Sequence, residues 1–302
     1  MKIVCLEGLL LLLWAVLLTL ALLPPLMIVL LLITAFHLFW FLSFRGRSSH
    51  PDWHLLEGWL YAHRGLHDQE AGIPENSLSA FRRAADQGFG AELDVHLTRD
   101  GRLVVIHDDT LLRTAGADVR VSSLTINDLD RYTLLGSGEK IPLLEEVLPL
   151  FEGRAPLLVE LKAEGNAGAL ARAAVQTLDR FRVKYAVESF HPGVLLWLKR
   201  HRPDVCRGQL AEDFRRPSAP LSGLAAWAAA HMLGNLLTAP DFIAYRFIHR
   251  RNCPCIRRAR THWGVREAGW TIRSQQELEQ CLREKVIPIF EGFLPDVSAR
   301  GL

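Results

Sequence analysis

The hydrophobic and polar positions divide the chain into a continuous apolar leader and a much longer alternating region. No charged residue occurs from Leu9 to Phe44, a run of 36 positions. About 20 apolar residues suffice for a helix to cross a bilayer. Pro24-Pro25 divides the run into 15 and 19 residues, which leaves one kinked helix or two short helices as alternatives. The pattern predicts a membrane anchor over residues 1–47.

The end of the leader has the composition of a membrane–water boundary. Four aromatic residues lie in its last six positions, and Arg45 and Arg47 follow them. A signal peptide is the alternative, but the apolar run is too long for one and no small-x-small cleavage site is evident. A single helix would place the two ends on opposite sides of the membrane, and a hairpin would place them on one side. The two arginines outnumber Lys2, which favours a cytoplasmic location for the rest of the chain.

Beyond the leader, short apolar runs of strand length alternate with helical patterns such as 75–87 and 167–181. Ser274 and Glu277 predict a capping box at the start of a later helix. About eight alternating units indicate an α/β fold with a parallel sheet closed into a (β/α)8 TIM barrel. The Thr98–Gly101 turn joins two runs with no helix between them, so we expect a hairpin partner there. The nine candidate strands are Leu60–Ala62, Ala91–Val95, Leu103–Ile106, Leu157–Leu161, Tyr185–Val187, Gly208–Leu210, Asp241–Tyr245, Trp270–Ile272 and Val286–Phe290.

The charge balance and the cysteines add two restrictions. The 302 residues include 35 basic and 33 acidic ones, and a net charge of +2 gives no indication of a nucleic-acid partner. The five cysteines are an odd number at spacings unlike a disulfide framework, so we expect ordinary thiols and a reducing compartment. The sequence leaves the oligomeric state open.

Two acidic residues, Glu92 and Asp94, lie two positions apart in an otherwise apolar strand. Side chains alternate along a strand, so both point to one face, which is the interior of the predicted barrel. Polar alternation on a solvated surface is the alternative, but the apolar neighbours argue against it. Carboxylates held together in a dry interior repel each other unless a cation neutralises them. With Glu160 near the end of another strand, the three carboxylates predict a site for a hard divalent cation, Mg²⁺ or Ca²⁺.

Two histidines, His63 and His107, each end an apolar strand, where barrel enzymes carry their catalytic groups. A single histidine there is more often structural, but two beside an acidic cluster indicate an acid and base pair. Arg64 offers a planar two-pronged donor for a phosphate oxygen, and Lys162 adds a positive charge. Histidines, cations and a hard metal together favour phosphoryl transfer over acyl or glycosyl transfer.

In these stretches the sequence resembles the glycerophosphodiester phosphodiesterase family. The resemblance implies a TIM barrel, over residues 58–300, that hydrolyses glycerophosphodiesters to an alcohol and glycerol 3-phosphate. No single stretch is specific, but together and in the family's order they are. The matching stretches are Ala62–Gly65, Pro74–Ser77, Glu92–Gly101, Val104–Asp109, Ile141–Glu146, Glu160–Lys162, Ser189–Phe190 and Trp270–Ile272.

By motif, the resemblance also implies roles for individual residues. Glu75 lies in a motif that the family keeps near the site, and its alternative role is to start the following helix; helix capping is the expectation for Asn76. Trp270 is expected to pack against the glycerol of the substrate or to fill the barrel mouth. The implied acid and base pair, metal ligands and phosphate contacts are His63 and His107; Glu92, Asp94 and Glu160; and Arg64 and Lys162.

One departure from the family leaves substrate selectivity open. The family usually ends its last strand with a Thr-Asp pair, where this chain has Ile289–Phe293. Hydrolysis of glycerophosphodiesters is the leading hypothesis, with either water or the substrate's own 2-hydroxyl as the nucleophile. The alternatives are phospholipase D-like cleavage of lysophospholipids and a non-catalytic barrel that binds lipid head groups. The expected partners are the substrate and membrane lipid.

Overall fold

The structure is a computed structural model that describes residues 2–43, 46–47, 50–216 and 221–296. The chain folds as two compact units, Met1–Ser43 and Phe44–Leu302. Each unit is built from a different hydrophobic pattern, one continuous and one alternating. The apolar leader therefore forms one unit, and the alternating region forms the other.

The first unit is a single continuous helix, α1 (Lys2–Ser43), with Pro24 and Pro25 inside it. Its segment Leu11–Phe39 is long and apolar enough to cross a membrane. The polar side chains Thr19 and Thr34 donate to carbonyl oxygens four residues back, at 2.7 Å and 2.8 Å. Of the boundary residues, Phe44 and Arg45 lie outside the described part of the chain. Arg47 belongs to the second unit, where its Nε lies 2.5 Å from the buried Asp241 carboxylate.

The second unit contains a closed barrel of eight parallel strands, which confirms the predicted fold. All nine expected strands are present, and β3 pairs antiparallel with β2 as the hairpin partner. Pairing of β1 with both β2 and β9 closes the barrel. The strands are β1 Tyr61–Ala62, β2 Gly90–Leu97, β3 Leu103–Val105, β4 Leu157–Leu161, β5 Tyr185–Ser189, β6 Arg207–Ala211, β7 Phe242–Arg246, β8 Arg266–Ile272 and β9 Ile287–Phe290.

Helices and helical turns connect these strands. Ser274 caps α12 by accepting from the Glu277 amide, but the Glu277 carboxylate accepts from the Arg273 amide, so only half of the expected capping box forms. Short 3-10 helices lie at Val121–Ser123, Leu148–Leu150 and Phe247–Asn252. The α-helices are α2 Trp53–Leu56, α3 Leu78–Asp86, α4 Leu112–Ala115, α5 Ile126–Leu129, α6 Leu144–Val147, α7 Ala167–Leu178, α8 Pro192–His201, α9 Gly223–Ala230, α10 Asn235–Thr238, α11 Pro254–Trp263 and α12 Gln275–Arg283.

One strand is longer than its hydrophobic pattern indicated. β8 begins at Arg266, four residues before the expected start at Trp270. Its second residue, Glu267, is buried and is neutralised by Arg250 and Arg260, whose nitrogens lie 2.5 Å and 2.8 Å from its carboxylate. The hydrophobicity pattern missed the start of β8 because the charged Glu267 interrupts the apolar run. The arginines that neutralise its charge lie on other elements, so the local sequence does not indicate that Glu267 is buried.

Apolar side chains fill the amino-terminal end of the barrel interior. Tyr61, Leu158 and Phe242 belong to this inner cluster. Gly208 makes room for it, because a Cβ there would lie 2.2 Å from the Phe242 ring. Trp53 of α2 packs against the same ring at 5.6 Å between centroids. With this end closed by side chains, the polar residues that point inward collect at the carboxyl ends of the strands.

Candidate active site

The predicted acidic residues meet inside the barrel. Glu92 and Asp94 lie on β2, and Asp94 is the register partner of Glu160 on β4. Carboxylate oxygens of the three residues lie within 4.8 Å of one another, and all three side chains are buried. This spacing and these all-oxygen donors fit one divalent cation. The structure thus brings the three residues together as expected, and their role as ligands stays a prediction.

Two cationic side chains lie against this carboxylate cluster, but they do not neutralise its full negative charge. Lys162 Nζ is 2.8 Å from Glu160 and 3.1 Å from Asp94, and Arg64 Nε is 3.4 Å from Asp94. Glu188, buried on β5 as the register partner of Glu160, adds a fourth carboxylate, and its Oε2 has no hydrogen bond from the described residues. With all four carboxyl groups ionised, the cluster would exceed the charge of the two cations by two negative charges. A divalent cation would neutralise that excess.

The pKa values in the cluster follow from burial and from these charges. Burial raises the pKa of Glu92 well above its ordinary value, and the charges of Asp94 and Glu160 raise it further. Burial also raises the pKa of Glu188. Burial opposes ionisation of Asp94 as well, but the positive charges of Lys162, His107 and Arg64 and the hydrogen bond from Asn76 together outweigh it and lower the pKa of Asp94. A bound cation would favour the ionised form of every carboxyl group in the cluster.

His63 follows β1 and contacts two carboxylates. Its Nδ1 lies 2.7 Å from Oε2 of Glu291, and its Nε2 lies 3.9 Å from Oε2 of Glu92. A carboxylate can only accept, so Nδ1 carries the proton and Nε2 keeps its lone pair. Burial lowers the pKa of His63, although the hydrogen bond to Glu291 acts in the opposite direction. The resulting neutral imidazole is the form that a general base requires.

Glu291 occupies the place where the sequence departs from the family's Thr-Asp pair. It directly follows β9, which pairs with β1, and the His63 amide donates to the Phe290 carbonyl at 2.9 Å. Burial opposes its charge, but the hydrogen bond and charge of His63, with the charges of Arg273 and His67, together outweigh burial and lower the pKa of Glu291 to about 2. No local sequence pattern links this partner to His63, because only the closure of the barrel brings residues 63 and 291 together.

His107 follows β3 and has its own carboxylate partner. Its Nδ1 lies 2.6 Å from Oδ1 of Asp108. Arg113 holds that carboxylate from the other side, with Nε at 2.6 Å from Oδ2. The hydrogen bond from His107 is the largest influence on Asp108, and with the hydrogen bond from Arg113 it lowers the pKa of Asp108. The sequence signal for this partner is its place directly after His107.

Glu75 links Arg64, which lies beside the carboxylate cluster, to Arg113, which binds the carboxylate partner of His107. Its carboxylate accepts from Arg64 at 2.9 Å and from two nitrogens of Arg113 at 2.7 Å and 2.8 Å. Arg64 in turn lies against Asp94, and its own amide donates to the Glu92 carboxylate at 3.1 Å. That amide points to Glu92 because Arg64 has a left-handed φ of 55°. Glu75 therefore fixes two arginines, and its contact with substrate stays a prediction.

Asn76 does not cap α3, so that expectation is wrong. The N-cap is Ser77, whose side chain accepts from the Ala80 amide. Asn76 is buried with a left-handed φ of 54°, and its Nδ2 donates to Oδ2 of Asp94 at 2.9 Å. An asparagine tolerates this backbone conformation at low cost and also supplies the donor. The residue therefore orients a carboxylate of the cluster.

Trp270 lies at the barrel mouth beside an apolar cavity. Its Nε1 donates to the Ala244 carbonyl at 3.1 Å, and its ring meets Phe190 edge-on at 5.8 Å. The cavity of about 830 Å³ is lined by His107, Glu160 and Lys162 at one end. Its apolar lining includes Phe190, Phe214, Leu221 and Met232. Filling the barrel mouth accounts for the contacts of Trp270, and its contact with glycerol stays a prediction.

The cysteines have the character expected from the sequence. Cys206, Cys253, Cys255 and Cys281 are free and buried. They lie in the barrel unit and take no part in the carboxylate cluster. The side chain of Cys5 lies outside the described part of the structure.

Relatives of known sequence cover parts of the chain. A glycerophosphodiester phosphodiesterase of Bacillus altitudinis is 33% identical over 167 residues, which are 51% of this chain and 66% of the relative. One of Caldanaerobacter subterraneus is 42% identical over 112 residues, 34% of this chain and 45% of the relative. A lysophospholipase D of Homo sapiens is 33% identical over 105 residues, 30% of this chain and 33% of the relative. The chain thus matches less than two thirds of the length of these relatives.

Solved structures and a family model extend the comparison to the whole barrel. An Oleispira antarctica phosphodiesterase in complex with the product sn-glycerol-3-phosphate is 24% identical, with a TM-score of 0.61 over 77% of this chain and 92% of that one. A Parabacteroides distasonis glycerophosphodiester phosphodiesterase is similar to the same extent, with a TM-score of 0.60. Both similarities show that this chain shares the barrel fold of these two structures. Residues 63–293 match the model of the glycerophosphoryl diester phosphodiesterase family, and the chain therefore belongs to that family.

Proposed function

We propose that the chain hydrolyses glycerophosphodiesters to an alcohol and glycerol 3-phosphate with the help of a divalent cation. One observation carries the proposal: two histidines, each hydrogen-bonded to a carboxylate, accompany a buried cluster of three further carboxylates. Acid and base groups beside a cation site are what hydrolysis of a phosphodiester requires. Family membership supports the same substrate class.

The cation would be held by Glu92, Asp94 and Glu160. Carboxylate oxygens favour hard ions, so Mg²⁺ and Ca²⁺ are the candidates. When bound, the ion supplies positive charge for the phosphate oxygens and a place for the glycerol hydroxyls. Asn76 keeps Asp94 oriented by donating to its Oδ2 at 2.9 Å.

The two histidines divide the proton transfers between them. His63 accepts the proton of the nucleophile at Nε2, because its Nδ1 proton is held by Glu291. The nucleophile is water, or it is the substrate's 2-hydroxyl, in which case a cyclic phosphate forms first and water then opens it to glycerol 3-phosphate. As the bond from phosphorus to the leaving oxygen breaks, His107 protonates that oxygen. Asp108, 2.6 Å from Nδ1 of His107, provides the negative charge that stabilises the protonated ring.

Four further residues are proposed to contact the substrate. Arg64 and Lys162 carry positive charge at the edge of the carboxylate cluster, so they are placed to bind phosphate oxygens. Glu75 fixes the guanidinium of Arg64 and reaches the substrate side of the cluster. Trp270, whose ring meets the cavity-lining Phe190 edge-on at 5.8 Å, offers an apolar surface for the glycerol carbons.

The experiment is a glycerophosphocholine assay on the full chain in detergent. Treatment with EDTA should abolish release of choline, and Mg²⁺ or Ca²⁺ should restore it. Glu92→Gln should abolish turnover because it removes a ligand oxygen while keeping the size of the side chain. The matched control is Glu279→Gln on α12, whose half-exposed side chain pairs with Arg283 and not with the site, and which should keep wild-type activity. Wild-type turnover in Glu92→Gln would contradict the proposal, and binding of substrate without turnover in the wild type would favour a non-catalytic barrel that binds head groups.

A second function is favoured by the apolar cavity. A cavity of about 830 Å³ that begins at His107 and Lys162 and continues along Phe214 and Met232 has room for an acyl chain beside the phosphate site. We therefore propose phospholipase D-like cleavage of lysophospholipids as the alternative activity. The relative from Homo sapiens that carries the name lysophospholipase D supports this substrate class.

Two variants of α9 separate the alternatives. Ala229 lines the cavity, and Ala225 lies exposed on the same helix. Ala229→Glu places a charge in the cavity, so it should lower turnover of lysophosphatidylcholine at least tenfold and leave glycerophosphocholine turnover unchanged. Ala225→Glu should change neither. Equal turnover of the lysolipid by both variants would exclude the cavity as an acyl-chain site.

We also propose that residues 1–47 anchor a barrel of residues 58–300 to a membrane, with the barrel on the cytoplasmic side. The support is the continuous apolar helix, whose Thr19 and Thr34 hydroxyls donate to its own backbone. Alkaline extraction of membranes should leave the protein in the pellet, and its intact mass should include the leader. Protease added to sealed right-side-out vesicles should not cleave the barrel. A cleaved leader would instead indicate a signal peptide.

A further inference from the structure

A second group of possible metal ligands lies at the rim of the barrel, apart from the carboxylate cluster. It consists of His96, Asp109 and Glu164, whose ligand atoms all lie within 4.8 Å of one another. His96 is only 2% exposed, whereas both acids reach solvent. Three atoms bound at about 2.1 Å to one ion are at most about 4.2 Å apart, so a small contraction would bring this set to coordination distance.

One ring nitrogen of His96, Nδ1, faces this group of ligands and accepts no hydrogen bond from it. Its Nε2 lies 3.2 Å from the His107 carbonyl oxygen. A carbonyl can only accept, so Nε2 carries the proton and the lone pair of the neutral ring lies on Nδ1. Nδ1 faces Oε1 of Glu164 at 3.4 Å, which is longer than the 2.7–2.9 Å typical of a charge-assisted hydrogen bond. A lone pair that faces a carboxylate is unfavourable unless a cation lies between them.

The acids are arranged to leave ligand atoms free. The Ser122 hydroxyl donates to Oε2 of Glu164 at 3.0 Å, and Arg120, an exposed residue, lies 3.4 Å from the same oxygen. Both contacts hold the carboxylate with Oε1 directed at His96. The Asp109 side chain has no hydrogen bond or ion pair to any described residue. A histidine whose second nitrogen donates to a backbone carbonyl is the usual arrangement of a metal-bound imidazole.

We propose that His96, Asp109 and Glu164 form a second divalent-cation site, separate from the carboxylate cluster. One nitrogen and two carboxylates are a mixed donor set, which favours Zn²⁺ or Mn²⁺ over Mg²⁺ and Ca²⁺. Both acids line the apolar cavity that begins at His107, so the open coordination positions face the space next to the phosphate site. The ion would also fix the main chain of His107, because His96 donates a hydrogen bond from Nε2 to the His107 carbonyl oxygen.

The test counts bound ions on the full chain in detergent after EDTA stripping and addition of Mn²⁺. The wild type should bind two ions, and pulsed EPR should detect nitrogen coupling from an imidazole at one of them. Asp109→Asn and Glu164→Gln should each lose the ion with nitrogen coupling and keep the other, whose retention also shows that the variant is folded. Glu92→Gln should lose only the ion without nitrogen coupling. Asp118→Asn, an exposed acid nearby in sequence, should keep both ions.

Two outcomes would overturn the proposal. One is a wild type whose bound Mn²⁺ shows no nitrogen coupling, which would mean that His96 and Glu164 form an ordinary ion pair. The other is nitrogen coupling that persists in Asp109→Asn, which would assign the signal to another histidine. Because the measurement needs no substrate, its result is independent of the proposed hydrolysis.

Discussion

The two histidines of the site have the same chemistry and different surroundings. The His63 side chain is 13% exposed and pairs with Glu291, a residue 228 positions away that barrel closure brings to it. The His107 side chain is 32% exposed and pairs with Asp108, its neighbour in sequence. Burial lowers the pKa of His63. Arg113 neutralises part of the charge of Asp108, whereas the Arg273 guanidinium is more distant from Glu291, at 3.3 Å.

The comparison supports the opposite roles proposed for these two chemically identical groups. A buried imidazole that stays neutral suits a general base, and an accessible one next to a fixed carboxylate suits a general acid. Both rings are held in one tautomer by a bond at Nδ1, which leaves Nε2 for the reaction. The difference between the two therefore lies in burial and not in hydrogen-bond pattern.

The largest expected effect distinguishes the two histidines by the substrates that their alanine variants still hydrolyse. His63→Ala and His107→Ala should each lower kcat/KM for glycerophosphocholine by about 10²–10⁴-fold. A nitrophenyl ester of glycerol phosphate has a leaving group that needs no proton, so its hydrolysis should recover in His107→Ala and not in His63→Ala. Steady-state kinetics with both substrates measures the difference. Recovery in His63→Ala alone would reverse the assignment, and His262→Ala, on the exposed end of α11, is the control.

A smaller effect should come from the partner of the base. Glu291→Gln keeps an acceptor for Nδ1 of His63 and removes the negative charge, so we expect kcat to fall by about 10–10²-fold. Because Glu291 raises the pKa of His63 against burial, its loss should lower that pKa. A base acts when deprotonated, so the acidic limb of the kcat/KM profile should move to lower pH.

The control for this positioning residue is Glu279→Gln, whose profile should match the wild type. An acidic limb that stays in place in Glu291→Gln, or that moves to higher pH, would show that Glu291 does not act through His63. A fall in activity with no change of profile would point to a purely structural role.

Much of this arrangement could be predicted from the sequence, because it depends on local patterns. The positions of Glu92, Asp94 and Glu160 follow from strand alternation, and the hairpin after β2 follows from a turn without a helix. The buried Glu267 shows the limit, since its partners Arg250 and Arg260 lie on elements that no local pattern connects to it.

Contacts across the barrel closure could not be predicted in the same way. Glu291 meets His63 only because β9 lies beside β1. Asn76 was expected to cap a helix because its residue type is common there, but its left-handed backbone turns the side chain to Asp94. Glu188 ends an apolar strand as Glu160 does, and only the register of β4 and β5 reveals that the two are neighbours.

The smallest expected effect is on stability, and it tests the His63–Glu291 pair without substrate. The pKa of Glu291 falls from an ordinary 4.5 to about 2 in the folded state. A lowered carboxyl pKa stabilises the fold above the unfolded-state value, and this contribution is lost as the pH falls through the folded-state value. Glu291→Gln should therefore lower the free energy of unfolding by about 1–3 kcal/mol near pH 7. The gap to the wild type should close between pH 4.5 and pH 2. Urea unfolding followed by tryptophan fluorescence measures both proteins across this range, and a gap that is constant with pH would show that the charge of Glu291 does not contribute to folding.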